Sequence, residues 1–385
     1  MFPDFCKIFD QDIYIVGGAV RDQLLGIDVC DVDIASAIHP HDFKKLCKSL
    51  GHKTFDTGIE HGTVTVLIDG KAYEHTTFRT DVSCDGRNAN VSFSKTIEED
   101  LSRRDFTINA IALLRNEIID PFQGQQDLEN KILKTVGLAE ERFSEDYLRI
   151  IRAARFASRL NMSIDTELLI AAKHLAPKII EHVSVERISD EFKKAQAHAK
   201  EFLKVLYSMN ILENLFKRTS DHHANELWWE EVGRAAQFDV ESYFASLFRP
   251  IANRDRVEEV CREYKLSRSI IRFSCQLVQH APYFMHEEFS LENSYQILKA
   301  CGDNAPRLIN YLQNVIQHSQ ATPTLDQTLE KLDQIYEAIN KPLINGGDLH
   351  KMNIKPSPEF RHILDRSAIL QIEGFSKEEI LKQIN

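Results

Sequence analysis

The chain has 385 residues, too many for one ordinary core, so two or more domains are expected. No apolar run reaches the length of a membrane span, the first residues show no leader pattern, and seven scattered cysteines form no Cys-x-x-Cys pair; this excludes a membrane partner and points to reduced thiols, no zinc site and a cytoplasmic location. The formal net charge of −11 is set against a long nucleic-acid surface: either a nucleic acid is held by local basic patches, or the partner is not nucleic acid.

Residues 14–16, 32–35, 62–68, 73–78 and 118–120 read as strands, and 41–50 as a helix between two of them. From about residue 140 strand signals almost vanish and helical periodicity continues to the C-terminus. Strands first and helices after define an α+β chain, with a mixed-sheet head followed by helices.

Within the head, Ile13-Tyr14-Ile15-Val16 runs into Gly17-Gly18-Ala19-Val20-Arg21-Asp22, and Asp31-Val32-Asp33-Ile34-Ala35 follows. Alternation along a strand puts Asp31 and Asp33 on one face. Adjacent carboxylates repel unless a cation sits between them, and magnesium, which bridges carboxylates to phosphates, suits such a pair. The glycines allow close backbone approach to a phosphate that Arg21 can grip. Alone, a Gly-Gly is more often a turn and an Asp-x-Asp a strand end; their order and spacing give them weight.

Further on, 79–90 is a polar segment with a turn at Asp85-Gly86, long for a hairpin connection. Arg103-Arg104-Asp105 stands beside an apolar helix start at Phe106, Ile108 and Ile111; in isolation it reads as a surface ion cluster. Asp120-Pro121-Phe122-Gln123-Gly124 marks a defined turn into a helix. In Glu145-Asp146-Tyr147-Leu148-Arg149-Ile150-Ile151-Arg152-Ala153-Ala154-Arg155-Phe156, Asp146 and Arg149 are three apart on a helix and face the same way, with Arg152 and Arg155 winding on. Ser184 reads as an N-cap, with Arg187 and Glu191 paired at i,i+4. Asp221-His222-His223 reads as a polar loop. Breaks are expected near Pro323 and at Lys341-Pro342, and Asn345-Gly346-Gly347 reads as a loop before a short final module.

The glycine turn with its Asp-x-Asp strand resembles the nucleotidyltransferase superfamily, and more narrowly the class II tRNA nucleotidyltransferases and bacterial poly(A) polymerases. Arg-Arg-Asp-Phe-Thr-Ile-Asn-Ala at 103–110 matches a marker of that family without departure, and 145–156 matches its Glu-Asp-x-x-Arg-x-x-Arg-x-x-Arg-Phe pattern. The resemblance covers residues 13–192 densely and the rest loosely; Ile344-Asn345-Gly346-Gly347-Asp348-Leu349 is similar to a segment near the C-terminus of many CCA-adding enzymes.

The resemblance implies a nucleotidyltransferase head over 1–134, a helical neck over 135–192, a body over 193–285 and a tail over 286–385. It implies addition of C, C and A to the 3′ end of tRNA from CTP and ATP, without a template. Asp31 and Asp33 are implied to hold two Mg2+ ions, and Arg104 and Asp105 the ribose. Gly18, Arg21, Arg152 and Arg155 are implied on phosphates, and Asp85 and Arg87 on a flexible loop. Asp146 and Arg149 are implied as a template for the base: a carboxylate accepts from the amine of cytosine or adenine, and a carbonyl in its place leaves an unpaired group costing about 1–3 kcal/mol. The tRNA acceptor arm is expected along the helical body and tail. A CC-adding or A-adding enzyme, a bacterial poly(A) polymerase and a non-enzymatic RNA-binding protein remain alternatives; Asn88-Ala89 where Arg-Pro is common leaves the final A open.

Overall fold

The computed structural model describes residues 3–29, 31–84, 89–215, 226–286, 289–316 and 323–384. Asp85, Arg87, Asp221, His222, His223 and Cys30 lie outside the described residues. The chain divides into two compact units, Met1–Lys217 and Arg218–Asn385.

The first unit carries the strands β1 (Tyr14–Val16), β2 (Asp33–Ser36), β3 (Lys53–Gly58), β4 (Thr63–Ile68), β5 (Lys71–Thr77), β6 (Arg79–Cys84), β7 (Ala89–Phe93), β8 (Ala112–Leu114) and β9 (Glu117–Ile119). Seven of them form one sheet in the order β3-β4-β5-β2-β1-β8-β9. Only β2 and β5 pair in parallel, so the sheet is mixed, as expected of the head. β4 shows why a strand forms here: Val64, Val66 and Ile68 are buried while their neighbours are half-exposed, the period of two that a sheet covered on one face requires.

Three local readings change. Within the polar segment, Arg79–Cys84 pairs with Ala89–Phe93 as β6 on β7, so strand reaches into what reads as a loop; 85–88 lie outside the described residues. β3 escapes sequence reading because its Lys53-Thr54-Phe55-Asp56-Thr57-Gly58 run, at the sheet edge, is mostly exposed and has no apolar alternation. The expected helix start at Phe106 is instead a single 3-10 turn, Thr107–Asn109, leading into β8. Phe106, Ile108, Ala110, Ile111 and Ala112 are all fully buried, so no polar face remains for a surface helix.

After β9 the Asp120 carboxylate accepts from the backbone N–H of Gly124 and Gln125 at 2.7 and 2.9 Å, starting the helix Gly124–Glu129. A Cβ on Gly124 would lie 2.3 Å from the Thr107 carbonyl oxygen, so this turn admits only glycine. Helices Ala139–Glu145, Leu148–Leu160, Thr166–Leu175, Val185–Ala195 and Ala199–Ser208 follow, with the short helices Lys178–His182 and Ile211–Leu215 and a small parallel pairing of Ile132–Leu133 with Ser163–Ile164.

In the described part of the second unit there are helices but no strands. Its core gathers Phe273, Leu277, Leu298, Tyr311 and Leu332, and a smaller cluster joins Ile344, Leu349, Leu370 and Ile380. The expected loop at 345–347 is the start of the helix Gly346–Lys351. Asn345 accepts from Gly347 N and Asp348 N, and Asp348 accepts from Asn345 N, a reciprocal cap that the two glycines obscure in sequence. Among the described residues no helix is long and apolar enough to cross a membrane.

Candidate active site

A groove of about 690 Å³ in the first unit is lined by Gly18, Arg21, Asp31, Asp33, Arg104, Asp105, Asp146, Arg149, Arg152 and Arg155. Ten residues spread over 138 positions of sequence thus meet on one surface. Gly17, Arg103, Asn109, Phe156, Arg159, Arg187 and Lys194 share the lining.

The glycine turn holds one wall. Gly17 has φ +68°, and a Cβ there would stand 2.6 Å from Arg104 Nη1, so Gly17 rather than Gly18 is the position that needs glycine. Gly18 opens the helix Gly18–Leu24, which carries Arg21 into the interior at 3% exposure. There the Arg21 guanidinium is fixed by Asp22 at 2.7 Å and by Asn109 Oδ1 at 2.5 Å.

Asp33 is the first residue of β2 and Asp31 lies two residues before it; both line the groove. The protein around Asp33 lifts its carboxyl above the ordinary range; Arg104 pulls it back and Asp31 adds to the lift. On β5, Glu74 stands opposite Asp33 in parallel register, and its carboxyl is also raised, by burial and then by Asp33, against Arg79. Sequence reading missed Glu74, although alternation from the buried Tyr73, His75 and Thr77 puts it on the Asp33 face. An excess of carboxylate charge of this kind suits a hard cation. Among the described residues no group of three or more His, Cys, Asp or Glu is assembled around one point.

The Arg-Arg-Asp motif is not a surface cluster. Arg103 and Arg104 both bind Asp100, which is 1% exposed, at 2.7 and 3.0 Å. Burial alone would raise the Asp100 carboxyl, but Arg104 and Arg103 hold it below the ordinary range. Asp105 is likewise buried: Oδ1 accepts from Phe106 N and Asn109 Nδ2, and Oδ2 accepts from Arg152 Nε and Nη2 at 2.9 and 2.6 Å. Against the cost of its burial, the Arg152 charge and these hydrogen bonds keep it ionised and low in pKa.

The opposite wall is the helix Leu148–Leu160, whose arginines at 149, 152, 155 and 159 form one stripe while Ile150, Ile151, Ala153 and Ala154 are buried. Asp146 is not on that helix. It sits in extended backbone between Ala139–Glu145 and Leu148–Leu160, because its carboxylate accepts from Leu148 N at 3.1 Å and so begins a new helix. Its other oxygen accepts from Arg187 at 2.7 Å. Arg155, 7% exposed, donates to Glu191, 2% exposed, at 2.5 Å. The expected Arg187–Glu191 pair therefore does not form: each partner is taken by the neighbouring chain segment. Ser184 occupies the N-cap position, but its side chain makes no cap hydrogen bond. Asp100 was missed as a groove-builder although it stands three and four residues before Arg103 and Arg104; Asn109, which holds Arg21 across 88 residues, gives no short-range signal of that contact.

This is the fold and charge pattern of a nucleotidyltransferase head joined to helices. A family model described as the poly(A) polymerase head domain matches residues 13–134, and one described as a probable RNA and SrmB-binding site of polymerase A matches 161–222. A CCA-adding enzyme of Streptococcus sanguinis is 37% identical, over 94% of this chain and 90% of its own length; that of Streptococcus thermophilus is 34% identical over 96% and 91%. The crystal structure of the Bacillus stearothermophilus CCA-adding enzyme in complex with CTP superimposes with TM-score 0.75 at 30% identity, over 100% of this chain and 97% of that one. The chain belongs to the CCA-adding enzyme family of tRNA nucleotidyltransferases.

Proposed function

We propose that this protein adds C, C and A to the 3′ end of tRNA from CTP and ATP, without a nucleic-acid template and with release of pyrophosphate, in the cytoplasm. The observation that carries the reading is that all ten residues proposed for metal and nucleotide line one groove. The free, buried thiols of Cys6, Cys47, Cys261, Cys275 and Cys301 are in keeping with a reducing compartment.

On this reading Asp31 and Asp33 hold two magnesium ions. A metal held by these two aspartates would neutralise charge on the triphosphate and make the terminal hydroxyl of the tRNA more acidic. Gly18 and Arg21 receive phosphate at the glycine turn; Arg152 and the remaining N–H groups of Arg155 do so from the helix stripe. Arg104 contacts the ribose directly, whereas Asp105, both of whose oxygens are engaged, acts on it through Asn109 and Arg152. Asp146 and Arg149 read the base. Asp146 accepts an exocyclic amine with the lone pairs that Leu148 and Arg187 leave, and a uracil or guanine carbonyl there would face a carboxylate.

The test is incubation of labelled tRNA lacking its 3′ CCA with magnesium and each nucleoside triphosphate, alone and combined, read at single-nucleotide resolution. Growth by two with CTP and by three with CTP plus ATP is expected. Stopping at two with both would make it a CC-adding enzyme. A alone on a CC end, or a long A tail on generic RNA, would overturn the reading in favour of an A-adding enzyme or a poly(A) polymerase.

A further inference from the structure

Beside the arginine-lined groove the first unit carries a second cavity, of about 730 Å³, and Asp31 is the one described residue that lines both. The cavity lies where the parallel strands β2 and β5 begin: Asp31 and Val32 lead into β2, and Lys71, Ala72 and Tyr73 open β5. The turn after the helix Gly18–Leu24 supplies Ile27, Asp28 and Val29. Its volume is that of a ligand site, for which about 300–1,000 Å³ is usual.

The two cavities differ in charge. Five of the arginines assigned above stand in the groove, whereas Lys71 is the one cation among the described residues of the second cavity, beside the carboxylates of Asp28 and Asp31. Lys71 and Tyr73, two apart on β5, point the same way. The Tyr73 ring is 5% exposed and packs edge-on against Phe5, with centroids 5.0 Å apart. Its hydroxyl nevertheless has no hydrogen-bond partner among the described residues, and the Lys71 ammonium has no ion-pair partner there. Burial, and then the Asp69 carboxylate, raise the Tyr73 pKa, so the hydroxyl keeps its proton and can donate. A buried phenol usually finds its partner within the fold; packing leaves this one, with a lysine on the same face, for a ligand. Ala72 alternates to the side of Glu74 and Asp33, where a larger side chain would fill the space beside the aspartates.

In nucleotidyl transfer the attacking and departing oxygens stand in line on opposite sides of the α-phosphorus. The arginines gather the triphosphate, and with it the departing pyrophosphate, in the groove, so the acceptor oxygen has to reach the aspartates from another side. A chain end brings one phosphate per nucleotide, which one lysine and one phenol match. Ile27, Val29 and Val32 offer its base apolar contacts that favour no particular base.

We propose that this cavity seats the 3′-terminal nucleotide of the acceptor RNA, with its phosphate on Lys71 and the Tyr73 hydroxyl, its base against Ile27, Val29 and Val32, and its sugar toward Asp31. The proposal rests on the reading of the protein as a tRNA nucleotidyltransferase and deepens it: incoming nucleotide and acceptor end occupy separate cavities that meet at Asp31. Indifference to the base suits an acceptor whose last nucleotide changes at each addition.

The first arm of the test irradiates the full-length protein with tRNA that lacks CCA and carries 4-thiouridine as its last nucleotide, and maps the cross-linked peptide by mass spectrometry. Cross-links within 23–32 or 71–73 are expected; cross-links confined to the helix Leu148–Leu160 or to the second unit, or none, would overturn the proposal. The second arm takes Ala72→Leu and Lys71→Ala, each checked for the wild-type melting temperature. Single-turnover incorporation of C should fall roughly 10²-fold in the first, the scale of a small misplacement, and roughly tenfold in the second. CTP affinity, titrated directly, should stay unchanged in both. Unchanged rates would overturn the proposal, and so would a parallel loss of CTP affinity, which would put the incoming nucleotide in this cavity. Extension of tRNA by a wild type that cross-links elsewhere removes this inference and keeps the enzymatic reading; cross-links in the cavity without extension remove the enzymatic reading and keep the seat.

Discussion

The two arginine-lined grooves differ in how their guanidinium groups are held. In the first unit Arg21, Arg103, Arg104, Arg152 and Arg155 each bind a buried or nearly buried carboxylate, and Arg149 and Arg187 bind Glu145 and Asp146. In the second unit's groove, between the helices Arg254–Glu263 and Arg268–His286, Arg268 and Arg272 stand in solvent without an ion pair among the described residues. The difference follows from burial: a charged group taken into the fold has to find its counter-charge, whereas one left in solvent is satisfied by water. Donors that must meet particular atoms of a base, a ribose and a triphosphate have to be fixed before the ligand arrives.

Removing the chemical centre of the fixed groove separates it furthest from the open one. Asp33→Asn, and independently Asp31→Asn, should cut single-turnover nucleotide incorporation by roughly 10³-fold or more, the scale of losing a principal electrostatic element. tRNA binding should be retained, and the melting temperature unchanged or raised because two like charges no longer adjoin. Incorporation within tenfold of wild type would remove the aspartates from the metal role.

Breaking one clamp tests whether the arginines of the first unit are truly fixed. Glu191→Ala leaves Arg155 buried without its counter-charge, and should cost about 3–5 kcal/mol in urea unfolding. The R155M/E191A double variant should recover part of that loss, since no uncompensated buried charge remains, although the Ala is smaller than the Glu it replaces. Equal losses in both variants would mean that the pair is not the source.

A gentler loosening is Arg187→Ala, which frees one oxygen of Asp146 without touching the groove's core. Discrimination of CTP over UTP, as a ratio of kcat/KM, should fall roughly tenfold while kcat for CTP changes little. An unchanged ratio would show that Leu148 N suffices to hold Asp146.

An effect on stability alone lies beneath the sheet. His75 is fully buried, stacked on Phe43 at 3.7 Å and bonded to Ser36 at 2.8 Å, and burial pushes its pKa down to about 3. Because the folded pKa lies below the unfolded one of about 6.5, the unfolded chain binds the extra proton. The stability of the first unit is therefore intact above pH 6.5 and falls by about 1.4 kcal/mol per pH unit as the pH drops toward 3 from this group. Urea titrations from pH 7 to 5 check this, and His75→Leu should flatten the slope by one proton's worth.

Much of this molecule is legible from local chemistry. β1, the alternation of β4, the change from strands to helices near residue 140 and the ten motif residues follow from runs of a few side chains, whose pattern a reader can match to a strand, a turn or a charged face. Misreadings arose where the local pattern was ambiguous. Phe106–Ile111 is apolar at a spacing that suits a helix, and only complete burial makes it a turn and a strand. Asn345-Gly346-Gly347 looks like a loop until Asp348 closes the cap.

Which charges meet is a different kind of question. Arg187 with Glu191 was the natural local pair, four residues apart on one helix, yet Arg187 reaches back 41 residues to Asp146 and Glu191 reaches back 36 to Arg155. Arg152 finds Asp105 across 47. An exposed i,i+4 pair gains only a few tenths of a kcal/mol, whereas a carboxylate buried by helix packing must find a cation or lose far more. The sequence supplied the chemical groups and most of the secondary structure that carries them. Their partners, and with them the shape of the groove, were chosen by the packing of helix against sheet, because burial decides which charges cannot be left alone.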